Sequence, residues 1–234
     1  MARKWKKNVG SNDSRRKLIT ALAPKSPISE QYRTIRTNIQ FSSIDEEIRV
    51  IMITSSGPGE GKSTTAANLA VTFAQLGKKV LLVDADLRKP TVHHTFAANN
   101  LVGLTTVLTK QKPLDKAIID TDEQDLYVLP SGPIPPNPAE LLSSKSMEQF
   151  MEEARAHFDY IIFDTPPLLA VADPQIIAKQ CDGTILVVYS ERTEIEQSKK
   201  AKELLENSQS KLLGVVLNHK ELKNSDYYYY YGTK

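Results

Sequence analysis

Six short runs along the chain are almost continuously apolar and rich in β-branched residues: Arg49–Ser55, Lys79–Asp84, Leu126–Pro130, Tyr160–Asp164, Thr184–Tyr189 and Leu212–Leu217. A strand with one face in water alternates apolar and polar residues. Unbroken apolarity marks strands buried on both faces, as in a parallel sheet covered by helices. Between these runs the period lengthens to that of a helix. Ser63–Gly77 carries Ala66, Ala67, Leu69, Ala70, Phe73, Ala74 and Leu76, and Gly77 supplies the stop. Ser29–Gln40, Ser146–His157 and Glu194–Asn207 show helical spacing too. Strands alternating with helices predict an α/β fold with a doubly wound, mostly parallel sheet. Gly132–Pro138 (GPIPPNP) is a Pro-rich loop between a strand and a helix. The pattern predicts one domain over 26–219. A basic arm (1–25) precedes it and a tail (220–234) follows.

Length and composition agree with that single domain. The chain has 234 residues, 40% hydrophobic and 25% charged, the balance of a soluble globular protein. No apolar run reaches the length of a membrane-spanning helix. Met1–Gly10 is basic and polar, without the apolar core of a secretory signal. Cys181 is the one cysteine, so a disulfide framework, a cysteine zinc site and an iron–sulfur cluster are excluded within one chain. A reducing cytoplasm is the expected compartment.

Charge is unevenly placed. Residues 1–17 hold seven basic side chains against Asp13 alone, an excess of six, so the net charge of +2 leaves the remainder at −4. The arm reads either as a solvated segment or as one drawn to the anionic inner face of a membrane. Without a basic run on the body, no nucleic-acid partner is expected.

The strongest chemical signal is Ser55-Ser56-Gly57-Pro58-Gly59-Glu60-Gly61-Lys62-Ser63-Thr64. It follows an apolar strand and opens a helix, the context of a phosphate-binding loop. Ser56 through Thr64 are therefore the expected nucleotide-binding residues, with Ser56 standing where the usual GxxxxGK[ST] pattern has its first glycine. Backbone N–H groups turn inward around phosphate oxygens, and the helix start aims its positive end at the same anion. Lys62 is expected on the β- and γ-phosphates and the Ser63 hydroxyl on Mg²⁺. Asp84 and Asp86 end the second strand, and Asp164 ends another. Carboxylates at the C-terminal ends of buried strands sit at the ligand crevice and suit Mg²⁺, which keeps most of its waters.

These residues carry a resemblance. SSGPGEGKST, the LLVDADLRKP string at Leu81–Pro90, the IIFDTPP string at Ile161–Pro167 and SGPIPPNPAELL at Ser131–Leu142 are similar to those of the bacterial tyrosine kinases. These are P-loop proteins related to the MinD/ParA ATPases. The resemblance runs from about Ser29 to the C-terminus. It is to the Gram-positive form, in which the kinase and its transmembrane activator are separate chains. It implies a protein-tyrosine kinase using ATP and Mg²⁺, set in capsule or exopolysaccharide synthesis. The protein would be cytoplasmic and recruited to the inner membrane face by its activator.

Carried over residue by residue, Lys62 binds phosphate and Asp84 accepts the tyrosine proton. Ser63, Asp86 and Asp164 serve the metal. The roles of Asp84 and Asp86 stand open to exchange. Tyr227, Tyr228, Tyr229, Tyr230 and Tyr231 are the phosphoacceptors. Glu30, Arg33 and Arg36 match an E-x2-R-x2-R motif, one side of a helix, and are expected to join subunits of a ring in the unphosphorylated state. Asn218 is placed against the adenine or as a strand cap. Arg88 offsets phosphate charge or pairs with Asp86, Asp173 stands at the edge of the site, and His93 and His94 belong to a surface loop. A switch ATPase and a nucleotide-dependent scaffold are the alternative readings. The loop lacks the extra lysine of the former, and the tyrosine run has no use in that scheme.

Overall fold

The computed structural model describes residues 18–42, 47–208 and 210–221. The tyrosine run and most of the basic arm lie outside the described residues. The strands are β1 (Val50–Ser55), β2 (Val80–Asp84), β3 (Ile119–Asp120), β4 (Leu126–Leu129), β5 (Tyr160–Asp164), β6 (Gly183–Tyr189) and β7 (Leu212–Asn218). They form one sheet in the order β3-β4-β2-β5-β1-β6-β7. Every pairing is parallel except that of β3 with β4. All residues of β1, β2 and β5 are buried, which is why these strands carry no polar alternation.

Helices cover both faces. The first layer holds α1 (Ile19–Leu22), α2 (Pro27–Gln40), α3 (Lys62–Ala74) and α4 (Val92–Thr95). The rest are α5 (Leu104–Leu108), α6 (Leu114–Ala117), α7 (Pro138–Leu142), α8 (Lys145–His157), α9 (Asp173–Ala178) and α10 (Ile195–Asn207). Successive residues of one strand feed the two cores in turn. Ile51 and Ile53 pack with Leu69 and Phe73 of α3, and Val50 and Met52 pack with Phe150 of α8 and Leu205 of α10.

Helix α3 is buried almost all round because α1 and α2 lie over it, and its Ala66, Ala67, Ala70 and Ala74 let them approach. Helix α2 starts where Ser26 accepts the Ser29 N–H at 3.2 Å and Pro27 fills the first turn.

The short elements depart from the sequence reading. Strand β3 and helices α4 to α7 and α9 are too brief to build a period. Helix α1 falls inside the stretch assigned to the basic arm, yet it is docked. Thr20 is buried, and its N–H and hydroxyl both donate to Asn68 Oδ1, at 3.0 and 2.8 Å. His93 and His94 lie in α4 rather than a loop, ring centroids 3.9 Å apart. Cys181 packs against the core as expected of a small apolar residue. Burial first, then the charge of Asp182, pushes its thiol pKa well up, so it is not a nucleophile. No helix among the described residues is long and apolar enough to cross a membrane.

Candidate active site

The site is built where β1, β5 and β2 end side by side. Strand register puts Asp164 opposite Ile53 of β1 and Asp84 opposite Asp164. Two carboxylates thus reach the sheet edge at one level, next to the loop leaving β1. Both are 0% exposed. Ser55–Gly61 connects β1 to α3, with Gly59 and Gly61 at φ 78° and 94°. A Cβ on Gly61 would lie 2.0 Å from Asn218 Nδ2. Only glycine satisfies both the angle and the space. Gly61→Ala should therefore displace the loop from β7 and weaken Mg-nucleotide binding by about a hundredfold, the scale of a few lost charge-assisted hydrogen bonds. Titration of a fluorescent nucleotide checks this; wild-type affinity would contradict it.

The loop is held from three sides. The Glu60 carboxylate turns back along the loop: it accepts the Ser56 N–H at 3.0 Å and the Thr193 hydroxyl at 2.8 Å. Asn218 Nδ2 donates to the Glu60 carbonyl at 2.9 Å, and its Oδ1 accepts the His219 N–H at 3.0 Å. Both polar atoms of Asn218 are thus engaged by backbone, and the side chain stands at the end of β7 against the phosphate loop. On the other side, Leu168 N–H donates to the Ser55 carbonyl at 2.8 Å. Neither Glu60 nor Thr193 is legible as a brace from spacing, since Thr193 is 133 residues away from Glu60.

Lys62 lies at the helix start with its ammonium among the acids, Nζ 3.1 Å from Asp86 Oδ2, 3.4 Å from Asp164 Oδ1 and 3.4 Å from Ser63 Oγ. Burial alone would lower its pKa, but Asp164 and Asp86 outweigh it and raise the value, so the side chain is a cation. Asp84 is different. Its Oδ1 accepts the Asp86 N–H at 3.2 Å, and its Oδ2 accepts those of Thr91 and Val92, both at 2.9 Å. Burial, then the charge of Asp164, pushes its pKa up to about 8 against those N–H groups. Burial also raises Asp164, opposed by Lys62 and the Ser63 hydroxyl. Asp86 Oδ1 accepts the Lys89 N–H at 3.0 Å.

Two polar atoms here are buried and unpartnered: Asp164 Oδ2 and Ser56 Oγ. An orphaned carboxylate oxygen at a phosphate-loop mouth suits a hydrated cation, and a hydroxyl there suits a phosphate oxygen. The residues present therefore fit Mg²⁺ with a nucleoside phosphate. Among the described residues no three His, Cys, Asp or Glu side chains form a metal cage. Thr64 lies in the first turn of α3, its carbonyl engaged by Asn68 Nδ2 at 2.9 Å.

Arg88 corrects the sequence reading. It pairs with Asp173, not Asp86, through two bonds of 2.8 and 3.0 Å. Asp173 opens α9 at 0% exposure, so the turn of α9 supplies a buried acceptor beneath the Asp86 loop. Arg88 thereby ties the segment after Asp86 to the segment after Asp164. In α2, Glu30 and Arg33 pair within the helix. Arg36 leans inward and donates to the Thr72 carbonyl of α3 at 2.6 Å. The three motif residues share a helix but differ in their contacts: one guanidinium nitrogen of Arg36 is bonded within the subunit, whereas Glu30 and Arg33 pair with each other.

Known proteins place this architecture. Residues 48–212 match the family described as AAA domain. The chain is 59% identical over 229 residues to the tyrosine-protein kinase YwqD of Bacillus subtilis strain 168, covering 98% of this chain and 96% of that protein. Its structure is similar to that of the chimerical protein CapA2B2, with TM-score 0.85, 46% identity, 88% of this chain and 90% of that one. It is also similar to the septum site-determining protein MinD of Pyrococcus horikoshii OT3, solved with Mg-ADP, with TM-score 0.64, 26% identity, 76% of this chain and 73% of that one.

Proposed function

We infer the reaction from one premise: the chain belongs to the family of bacterial tyrosine-protein kinases. It transfers the γ-phosphoryl group of ATP to tyrosine hydroxyls, first those of Tyr227–Tyr231 on a second copy and then those of other proteins. The bond from phosphorus to the β,γ-bridging oxygen breaks, and that oxygen leaves with the electron pair on ADP. A bond from phosphorus to the phenol oxygen forms, and the phenol proton passes to a carboxylate. The single observation that carries this is the arrangement of Lys62 between Asp86 and Asp164 at the mouth of the loop. That arrangement supports the reading because a phosphoryl group in transfer needs its charge offset, and here a cation and carboxylate oxygens lie together at the loop.

Lys62 swings from its carboxylates to the β- and γ-phosphates when these enter. Ser63, Asp86 and Asp164 would hold Mg²⁺, which when bound would supply charge neutralisation and orientation of the phosphates. Asp84 is the proton acceptor: it ends β2 level with Asp164, and in its ionised form a carboxylate oxygen takes the phenol proton. Arg88 and Asp173 hold the Asp86 and Asp164 loops at fixed spacing.

The wider setting is the synthesis of capsule or exopolysaccharide at the membrane. The activator is the cytoplasmic segment of a transmembrane protein, and the unphosphorylated chain is a closed homo-oligomer joined at α2. Phosphate on several adjacent tyrosines adds about −1.5 to −2 charges each and expels the tail from an acidic site. The test is incubation with Mg-ATP and an activator fragment, followed by intact mass and peptide mapping. Phosphate on the 222–234 peptide is expected; hydrolysis of ATP with no phosphoprotein would replace the kinase by a switch ATPase.

A further inference from the structure

Three loops leave the carboxylate edge of the sheet with a large apolar side chain in water. Leu101 is 73% exposed after α4, Ile134 64% in the Pro-rich loop after β4, and Leu169 39% in the loop after β5. Single exposed aliphatics are ordinary. Their placement is what matters. Strands β4, β2 and β5 are neighbours, Val83 is level with Leu129 and Asp84 with Asp164. All three loops therefore depart at the height of the acids.

Two of these loops are locked together. Asn100 Nδ2 donates to Ser131 Oγ at 3.0 Å and to the Gly132 carbonyl at 3.1 Å, and the Gly132 N–H returns to Asn100 Oδ1 at 2.9 Å. The backbones touch at Gly103, where a Cβ would lie 2.1 Å from the Pro130 carbonyl oxygen. Leu101 follows Asn100, and Ile134 follows Gly132 by two residues. Asp84, through the Thr91 and Val92 N–H groups, fixes the start of α4 and hence the root of the first loop. The two loops that carry these apolar side chains are thus joined to each other next to both of them.

Resting on the kinase reading, the direction of transfer says what meets them. The phosphate loop leaves β1, its Asn218 and Thr193 braces lie on the β6–β7 side, and the acids lie on the β5–β2 side. The phosphoryl group is therefore passed toward β2. In-line displacement brings the acceptor from beyond it, the side of β2 and β4, where Leu101 and Ile134 stand.

We propose that Leu101 and Ile134 form the docking rim for the acceptor polypeptide, and that its occupant is the Tyr227–Tyr231 segment of a second copy of this chain. An extended segment entering with one phenol in the site presents further rings on either side of it. Adjacent tyrosines supply flat apolar faces for the two aliphatic tips, with the phenol hydroxyls left in water. The rim thus selects acceptors whose tyrosine has aromatic or apolar neighbours, while the transfer chemistry stays with Asp84, Asp86 and Lys62.

The test is fluorescence anisotropy of a labelled peptide of residues 222–234, titrated with protein saturated in Mg²⁺ and a non-hydrolysable ATP analogue. The Leu101→Ser/Ile134→Ser protein should bind the peptide about tenfold more weakly, as the loss of two partly covered aliphatic side chains implies. Its affinity for the nucleotide should not change. Leu101→Met/Ile134→Val, which keeps the apolar surface, should restore peptide binding. Equal peptide affinity in wild-type and double-Ser proteins overturns the proposal. So does a loss that comes with weakened nucleotide binding, because the loops would then act through the fold. Phosphate transfer from Mg-ATP to the same peptide is scored separately. A peptide that binds the rim but takes no phosphate sinks the kinase reading and leaves the docking surface standing.

Discussion

Replacing Lys62 by Met should cut tyrosine phosphorylation by about a thousandfold or more while the protein stays folded. The ammonium offsets Asp86 at 3.1 Å and Asp164 at 3.4 Å, and on the proposed mechanism it is the charge that faces the phosphoryl group in transfer. Removing a preorganised charge that faces the transition state costs about two to three orders of magnitude in comparable sites. The absence of the cation also leaves buried acids that are already hard to ionise. Asp84 and Asp164 have raised pKa values and can take up protons instead of forcing the fold open. The measurement pairs circular dichroism with phosphotyrosine quantification. A folded variant with near-normal phosphorylation would remove the phosphate-loop assignment.

Asp84→Asn is expected to fall nearly as far, by about a hundred- to ten-thousandfold in transfer, the range for losing a positioned proton acceptor. Its three backbone N–H contacts add a second cost. An amide can offer an oxygen to Thr91 and Val92 but must then set its own N–H₂ against the Asp86 N–H. A destabilisation of about 1–3 kcal/mol follows from one buried donor left unpaired, readable as a lower denaturant midpoint. Binding of Mg-nucleotide should persist, since Ser63, Asp86 and Asp164 are intact. Loss of binding here, with binding retained in Asp86→Asn, would exchange the roles of the two aspartates.

What the sequence made legible follows from how locally each feature is encoded. Continuous apolar runs are a direct image of strands buried on both faces, so six of the seven strands fall within a residue or so of their observed bounds. The seventh, Ile119–Asp120, is a two-residue antiparallel edge and leaves no periodic trace. The phosphate loop is legible because its chemistry depends on contiguous residues with special backbone angles. Its braces are not. Glu60 meets Thr193 and Asn218 only because β6 lies beside β1 and β7 beside β6, and that adjacency belongs to the sheet order. The Arg88–Asp173 pair is illegible for the same reason: Asp86 is near in sequence, whereas Asp173 is brought close by α9. Helix α1 was assigned to the arm because the basic residues just before it set the local composition, while its anchor, Asn68, lies 48 residues on.

The likeness to MinD accounts for the fold and the phosphate loop, and on both counts a switch ATPase would look the same. The two differ in where the γ-phosphoryl group goes. A mixing experiment decides this most directly. One protein carries Lys62→Met, with its tail tyrosines intact; the other carries Phe at all five positions from Tyr227 to Tyr231, with its site intact. Each is incubated alone and then together with Mg-ATP and the activator fragment, and the 222–234 peptide is mapped by mass. The account predicts no tail phosphate in either protein alone and phosphate on the Lys62→Met tail in the mixture. ATP consumed in the mixture, with both tails unmodified, would contradict it.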